Sequence, residues 1–172
     1  MNAKQYMWCI NILRQAYQSK KLTNLPATAV AAQAVLESGY GKSIPIDINT
    51  GKKSFNLFGV KAYPDKGLLG PNGFVTCYTH EEIAGEMKLK LLHFRAYFSY
   101  KDSFNDHARI LAISKDDSGE QRYRKAFDCL DDSEKFIKAV WKAGYATDSE
   151  YLQNIIPIIR TLNKIPIWML KL

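Results

Sequence analysis

The segment "PATAVAAQAVLE", from Pro26 to Glu37, constrains this chain more than any other stretch of its sequence. Between Lys21 and Glu37 no side chain is ionisable, and the predicted helix carries mostly small, apolar side chains on every face. A helix without a polar face is normally buried, so we expect the rest of the chain to pack around it. Its single acid stands directly before Gly39 and Gly41, residues that favour the end of a helix.

The position of Glu37 at the end of this helix suggests chemistry. Val30, Ala34 and Glu37 share one helical face, so the carboxyl group lies among apolar neighbours that raise its pKa. A glutamic acid still protonated near neutral pH is what general-acid catalysis requires. A solvated acid that merely ends the helix is the alternative, but the C-terminus of a helix prefers cations. This local conflict favours a functional interpretation.

Hydrophobic spacing predicts helices at both ends of the chain and a β region between them. A first helix is expected from Ala3 to Ser19, and a last one that Thr147 and Glu150 cap reciprocally. The middle of the chain contains three strand-like runs, "NLFGVKA", "GFVTCYT" and "MKLKLLHFRAYF". In the third run the apolar alternation changes phase after Leu91, which predicts a bulge or bend. The order predicts an α+β fold, mostly α, in a single domain over residues 1–172.

Composition excludes several classes of function. The net charge of +7 suits an anionic partner, but the basic residues are spread along the chain, which argues against nucleic-acid binding. No stretch is apolar and long enough for membrane insertion, and the first residues do not resemble a secretory signal. The three cysteines and three histidines show no metal-ligand spacing. We therefore expect neither a metal nor another cofactor.

Five blocks of the sequence resemble, in this order, those of glycoside hydrolase family 73, the bacterial endo-β-N-acetylglucosaminidases of peptidoglycan. The blocks are "AQAVLESGYGKS", "FNLFGVKA", "FRAYFSYKDSFNDHARIL", "RY" and "AGYATDSEYLQNII". The resemblance extends from about Pro26 to Ile159. It implies a lysozyme-like fold, in which a helical lobe and a small β-hairpin lobe flank a substrate cleft.

The resemblance also implies roles for particular residues. Glu37 matches the general acid of the family, and Tyr145 matches a tyrosine close to that acid. Substrate-binding positions are expected at Gly39, Tyr40, Asn56, Phe58, Thr79 and Tyr151. Tyr40 stands where relatives often have tryptophan, and both side chains can stack on a sugar.

The second carboxylate is expected on the hairpin. Family members often carry Thr-x-Glu before the strand of the "FRAYF" block, and Thr79 with Glu81 matches that spacing here. Glu82 and Asp65 remain alternatives for the same role. The sequence leaves open whether this acid activates water, with inversion, or whether the N-acetyl group of the substrate attacks, with retention.

These observations predict a peptidoglycan hydrolase that cleaves the β-1,4 bond after N-acetylglucosamine and acts as a monomer. A muramidase or lytic transglycosylase of the same fold, and an inactive wall-binding domain, are the alternatives. The substrate lies outside the cytoplasmic membrane. Because no export signal is visible, we expect a phage or prophage lysin, a virion-associated wall enzyme, a substrate of specialised secretion, or a domain excised from a longer protein.

Overall fold

The computed structural model describes residues 1–83 and 85–170, apart from the side chains of Glu82 and Ile83. Two helices precede a β-hairpin and four follow it, which agrees with the predicted α+β order. The elements are α1 (Ala3–Thr23), α2 (Ala27–Glu37), β1 (Phe74–Ile83), β2 (Glu86–Arg95), α3 (Tyr100–Ile113), α4 (Arg124–Phe127), α5 (Ser133–Lys142) and α6 (Tyr151–Leu162). Short 3₁₀ turns lie at Pro64–Lys66 and Ile167–Leu170.

Helix α2 is the centre of the helical lobe, as its apolar sequence predicts. Every residue from Ala27 to Val35 is buried, and α1, α5 and α6 pack around the helix. Small side chains let these neighbours approach closely, while larger residues such as Ile12, Phe136 and Ile155 fill the surrounding core. The last residue of a helix held in this way has a fixed position.

Helix α1 is longer than the sequence predicted. It continues four residues beyond Ser19, which is buried and donates its hydroxyl proton to Asn105 Oδ1 at 2.7 Å. The helix ends only where Asn24 takes a left-handed conformation, with φ of 57°. A polar residue that packs against α3 was therefore mistaken for a helix end.

The hairpin differs from the prediction in two respects. The run "NLFGVKA" is not a strand, and only Lys61 forms an isolated bridge, with Phe94. The register of β1 and β2 is continuous from the Phe74–Arg95 pair to the Ile83–Glu86 pair, so the predicted bulge is wrong. The change of phase reflects burial instead, because Leu89 is 59% exposed while Phe94 belongs to a small buried cluster at the base.

The first turns of α5 and α6 are capped differently. The Asp132 side chain accepts hydrogen bonds from the amides of Glu134 and Lys135, and so caps α5. The capping box predicted for α6 does not form. Glu150 is its N-cap without a side-chain bond, and the Asp148 side chain accepts from the Glu150 amide at 2.8 Å.

The junction between the hairpin and the helical lobe is an ionic hydrogen-bond cluster centred on Asp106. Its carboxylate accepts hydrogen bonds from Arg95, at the end of β2, and from the Tyr97 hydroxyl, both at 2.8 Å. Arg109 pairs with the other oxygen at 2.8 Å. These bonds fix the base of the hairpin against α3. None of the helices in the described ranges is long and apolar enough to cross a membrane.

Candidate active site

Glu37 is the last residue of α2 and stands immediately before a tight left-handed turn. Gly39, Tyr40 and Gly41 have φ values of 54°, 57° and 81°. The Ser38 hydroxyl donates to the Ala34 carbonyl at 2.6 Å and accepts from the Gly41 amide at 3.0 Å, which closes the turn. The acid is therefore carried on the most buried helix, next to a turn that is itself hydrogen-bonded.

Packing explains the glycine at 41. A Cβ atom there would lie 2.8 Å from the Trp8 ring, so the turn and α1 come this close only because no side chain intervenes. The Tyr40 ring packs against the helical core and, with Leu36 and Cys9, lines a cavity of about 410 Å³. Sugar stacking by Tyr40 and close approach of substrate to Gly39 remain predictions.

Glu37 as a whole residue is exposed, yet desolvation of its carboxyl group raises the pKa from 4.5 to about 7. The two observations agree for a carboxyl group that touches water on one side while protein surrounds it on the others. Such surroundings exclude much of the bulk water that would stabilise the charge. Desolvation is therefore the cause of the raised pKa of Glu37.

Two tyrosines lie beside Glu37. Burial and then the nearby charge of Glu37 raise the pKa of Tyr145 well above its ordinary value. Burial likewise raises the pKa of Tyr151, with a further contribution from Glu37. The two rings have centroids 6.0 Å apart. The structure thus brings together three predicted site residues from α2, the segment after α5, and α6.

A buried hydrogen-bond chain supports this group from behind. Gln33, one turn before Glu37 on α2, donates to the Tyr151 hydroxyl at 3.2 Å. Its carbonyl oxygen lies 3.3 Å from His107 Nε2. Burial lowers the pKa of His107 to about 3, so the ring is neutral and donates from Nε2 to this oxygen. The chain fixes Tyr151 without placing a second charge near Glu37.

Phe58 and Asn56 hold the segment that faces this chain. The Phe58 ring stacks on His107 at 3.9 Å between centroids and is 9% exposed. Asn56 is buried; its amide nitrogen donates to the carbonyls of Val60 and Arg95 at 2.9 and 3.0 Å. The side-chain oxygen of Asn56 accepts a hydrogen bond from the Val60 amide at 3.0 Å. These contacts favour a supporting role for both residues, and direct contact with sugar remains a prediction.

The hairpin carries the candidate second acid. Glu81 forms an ion pair with Lys61 at 2.7 Å, and Thr79 lies two residues earlier on the same face of β1. Asp65 is exposed in the 3₁₀ turn. The Glu82 side chain lies outside the described residues. Within the described part of the chain, the ion pair of Glu81 is with the segment after Asn56 and not with the helical lobe.

Sequence reasoning missed two supporting residues, Gln33 and Lys61. Gln33 is the one amide side chain in an otherwise apolar helix, four residues before Glu37, and that spacing was a usable signal. Lys61 gave none, because its partner is 20 residues away and on another element. Within the described ranges no group of three or more histidine, cysteine, aspartate or glutamate residues has a metal-binding arrangement.

Comparison with known proteins decides the family. A family model described as mannosyl-glycoprotein endo-beta-N-acetylglucosaminidase matches residues 13–164. This chain belongs to the glucosaminidase family. The resemblance found in the five sequence blocks is thereby confirmed, and the solved structures described below confirm the predicted lysozyme-like fold class.

Individual relatives agree with the family. The chain is 32% identical over 151 residues to the peptidoglycan hydrolase FlgJ of Pseudomonas aeruginosa, covering 88% of this chain and 35% of that protein. It is 32% identical over 135 residues to the exo-glucosaminidase LytG of Bacillus subtilis, covering 78% and 43%. This glucosaminidase-family chain therefore spans less than half the length of these curated relatives.

Solved structures show the same architecture. The glycoside hydrolase domain of Salmonella typhimurium FlgJ, truncated at its C-terminus, superposes with a TM-score of 0.74 at 28% identity, covering 94% of this chain and 99% of that one. The catalytic domain of the autolysin Auto from Listeria monocytogenes gives 0.73 at 25% identity, covering 95% and 86%.

Proposed function

We propose that this protein hydrolyses the glycan strands of peptidoglycan at the β-1,4 bond after N-acetylglucosamine, with Glu37 as the general acid. The observation that carries the proposal is the position of Glu37 at the end of the buried helix α2 and beside Tyr145 and Tyr151, where desolvation raises its pKa to about 7. An acid with that pKa is protonated in a large fraction of molecules near neutral pH and still transfers its proton readily. The family and the names of the relatives support this choice of substrate.

In the proposed reaction Glu37 donates its proton to the leaving glycosidic oxygen as the bond to C1 breaks. Tyr145 and Tyr151 lie near Glu37, and we assign them the role of positioning its carboxyl group. Their hydroxyls stay neutral at physiological pH, since burial raises both pKa values. They therefore add no negative charge beside the acid when the sugar becomes oxocarbenium-like.

The nucleophile that attacks C1 of the sugar is one of two groups, which gives two routes. In the first, Glu81 removes a proton from a water molecule that attacks C1 with inversion, which requires the two carboxyl groups to stand roughly 6.5–9.5 Å apart. The Glu81 side chain forms an ion pair with Lys61 on the neighbouring segment at 2.7 Å. In the second, the N-acetyl oxygen of the substrate attacks C1, and the configuration is retained through an oxazoline. Neither route uses a metal or another cofactor.

We also propose where the protein acts and in what form. Peptidoglycan lies outside the cytoplasmic membrane, so we place the activity in the cell wall. We propose that residues 1–172 act as one catalytic domain and as a monomer. The match of the family model to residues 13–164 supports the first of these points.

The test is mass spectrometry of borohydride-reduced products after incubation of purified sacculi with wild type, Glu37→Gln and the exposed control Glu150→Gln. Reduced N-acetylglucosamine ends from wild type and Glu150→Gln, and none from Glu37→Gln, are expected. Reduced muramic acid ends, or anhydro products, would instead indicate a muramidase or a lytic transglycosylase. Sacculus binding without products from any of the three would indicate an inactive wall-binding domain.

A further inference from the structure

A second concave site lies beside the proposed active site. A cavity of about 600 Å³ lies between α4, α5 and the loop before α4. One carboxylate, that of Asp116, lines it, and the Tyr123 ring with Ala139 and Ala143 forms an apolar wall. The other charged lining residues are all basic: Arg122, Arg124, Lys125, Lys135, Lys138 and Lys142.

Three of the six basic side chains form no ion pair among the described residues, and the charge of Asp116 acts on both Arg122 and Arg124. Arg124 pairs with Glu120. Lys135 lies 3.5 Å from the Asp132 carboxylate, and Lys138 lies 3.9 Å from that of Glu134. Among the described residues, no carboxylate lies within 4 Å of the charged groups of Arg122, Lys125 or Lys142. Like charges gathered around a concavity create a positive potential there, and an anionic ligand relieves their repulsion.

The cavity adjoins the group around Glu37. Tyr123, in its wall, packs its ring against Tyr145 with the centroids 6.4 Å apart. Gly144, directly before Tyr145, lies so close to Arg122 that a Cβ atom there would be 3.5 Å from the guanidinium group. One tyrosine ring therefore separates the basic cavity from the side chain that borders the acid.

We propose that this cavity binds carboxylates of the peptide stems that peptidoglycan carries, and so holds the strand in register at Glu37. The inference rests on the proposed function. The amino-sugar backbone itself is uncharged apart from its substituents, whereas each stem peptide presents free carboxylates. A stem of about four residues extends roughly 13 Å, enough to reach past the Tyr123–Tyr145 pair. Lysine and arginine bind such carboxylates by charge-assisted hydrogen bonds.

The test compares two soluble substrates, glycan fragments that keep their stems and the same fragments after an amidase has removed them, which leaves a carboxylate on each muramic acid but none along a stem. The variant is the double charge reversal Lys125→Glu/Lys142→Glu, at two exposed positions. We expect KM for the stem-bearing substrate to rise about tenfold with kcat unchanged. Kinetics on the stripped substrate should equal those of wild type, and added salt should reduce the difference.

The control is Lys4→Glu, which makes the same kind of charge change at an exposed position in the first turn of α1. It should behave as wild type on both substrates. An unchanged KM of the double variant for stem-bearing glycan would overturn the inference, and so would an equal rise on both substrates. In either case wild-type activity would leave the proposed function standing. If wild type cleaves neither substrate, the proposed function fails, and the inference fails with it.

Discussion

The end of α2 and the hairpin hold their candidate acids in opposite ways. Glu37 ends a helix that is buried from Ala27 to Val35, and it is bordered by Tyr145 and Tyr151, which the Gln33–His107 chain supports from behind. Glu81 lies on a two-stranded hairpin, and one ion pair with Lys61 ties it to the neighbouring segment. Packing from several elements therefore determines the environment of the first acid, whereas a single contact determines that of the second.

This difference indicates which of the two acids requires a fixed environment. A proton donor must keep an unusual pKa, and only a fixed, poorly hydrated environment maintains one. A residue that orients water, or that only closes over the substrate, needs a position more than a special pKa. The outer part of the hairpin is correspondingly exposed, with Met87 at 64% and Tyr78 at 60% exposure.

The largest effect should come from removing each acid in turn. Glu37→Gln should lower kcat about 10³-fold, because proton donation to the leaving oxygen is lost in both routes. Glu81→Gln should lower it by a smaller factor, since the N-acetyl group of the substrate offers an alternative nucleophile. Product release from defined glycan fragments measures both, with thermal melting to verify folding. A Glu81 variant that loses more activity than the Glu37 variant would reverse the comparison.

The packing of the two regions should differ strongly in its contribution to stability. Phe58→Ala removes a ring that stacks on His107 and contacts Phe104, and should lower the free energy of unfolding by about 3–4 kcal/mol. Leu89→Ala, on the exposed face of the hairpin, should cost less than about 0.5 kcal/mol. Denaturant unfolding gives both values. Similar costs at the two positions would contradict the assigned cores.

The support behind Glu37 can be tested at Gln33. Gln33→Met keeps the volume but leaves the Tyr151 hydroxyl and His107 without their partner, and should cost about 1–3 kcal/mol of stability. Gln153→Met, at an exposed position on α6, is the matched control and should change the free energy of unfolding by less than about 0.5 kcal/mol. If both variants unfold as wild type does, the buried chain has no structural role.

The smallest effect is expected at the ion pair of the hairpin. Lys61→Met removes the partner of Glu81, and since both side chains are partly exposed to solvent it should lower stability by less than about 1 kcal/mol. Its activity should fall less than that of Glu81→Gln, because the carboxylate remains. The control is Lys88→Met, which removes the Glu86 pair nearer the hairpin turn. If Lys61→Met lost as much activity as Glu37→Gln, the environment of Glu81 would be as critical for activity as that of Glu37, which would contradict the comparison.

The sequence predicted the helical lobe better than the hairpin, and the reason is physical. The apolar composition of helix α2 allows only burial. The position of Glu37 at the end of this helix is visible in the same stretch of sequence. In the hairpin, Met87, Leu89 and Leu91 alternate as buried residues would, yet they are exposed. Alternation shows which side chains share a face, but it does not show whether anything covers that face.

Contacts between distant elements were beyond the reach of local patterns. The extension of α1 depends on Ser19 meeting α3, and the position of Glu81 depends on Lys61. The capping box expected at Thr147 and Glu150 was wrong because Asp148 accepts from the Glu150 amide instead. The catalytic roles came from the family resemblance, since helical spacing alone cannot distinguish a general acid from a solvated carboxylate.

The central claim is that the buried helix keeps its last acid protonated. The direct measurement is a carbon-13 NMR titration of side-chain carboxyl groups, with the Glu37 signal assigned by its absence in Glu37→Gln. We predict a pKa of about 7, against an ordinary value of 4.5. Because the folded state then binds this proton more tightly than the unfolded chain, stability should fall as the pH rises between these two values. A pKa of Glu37 near 4.5 would contradict the account.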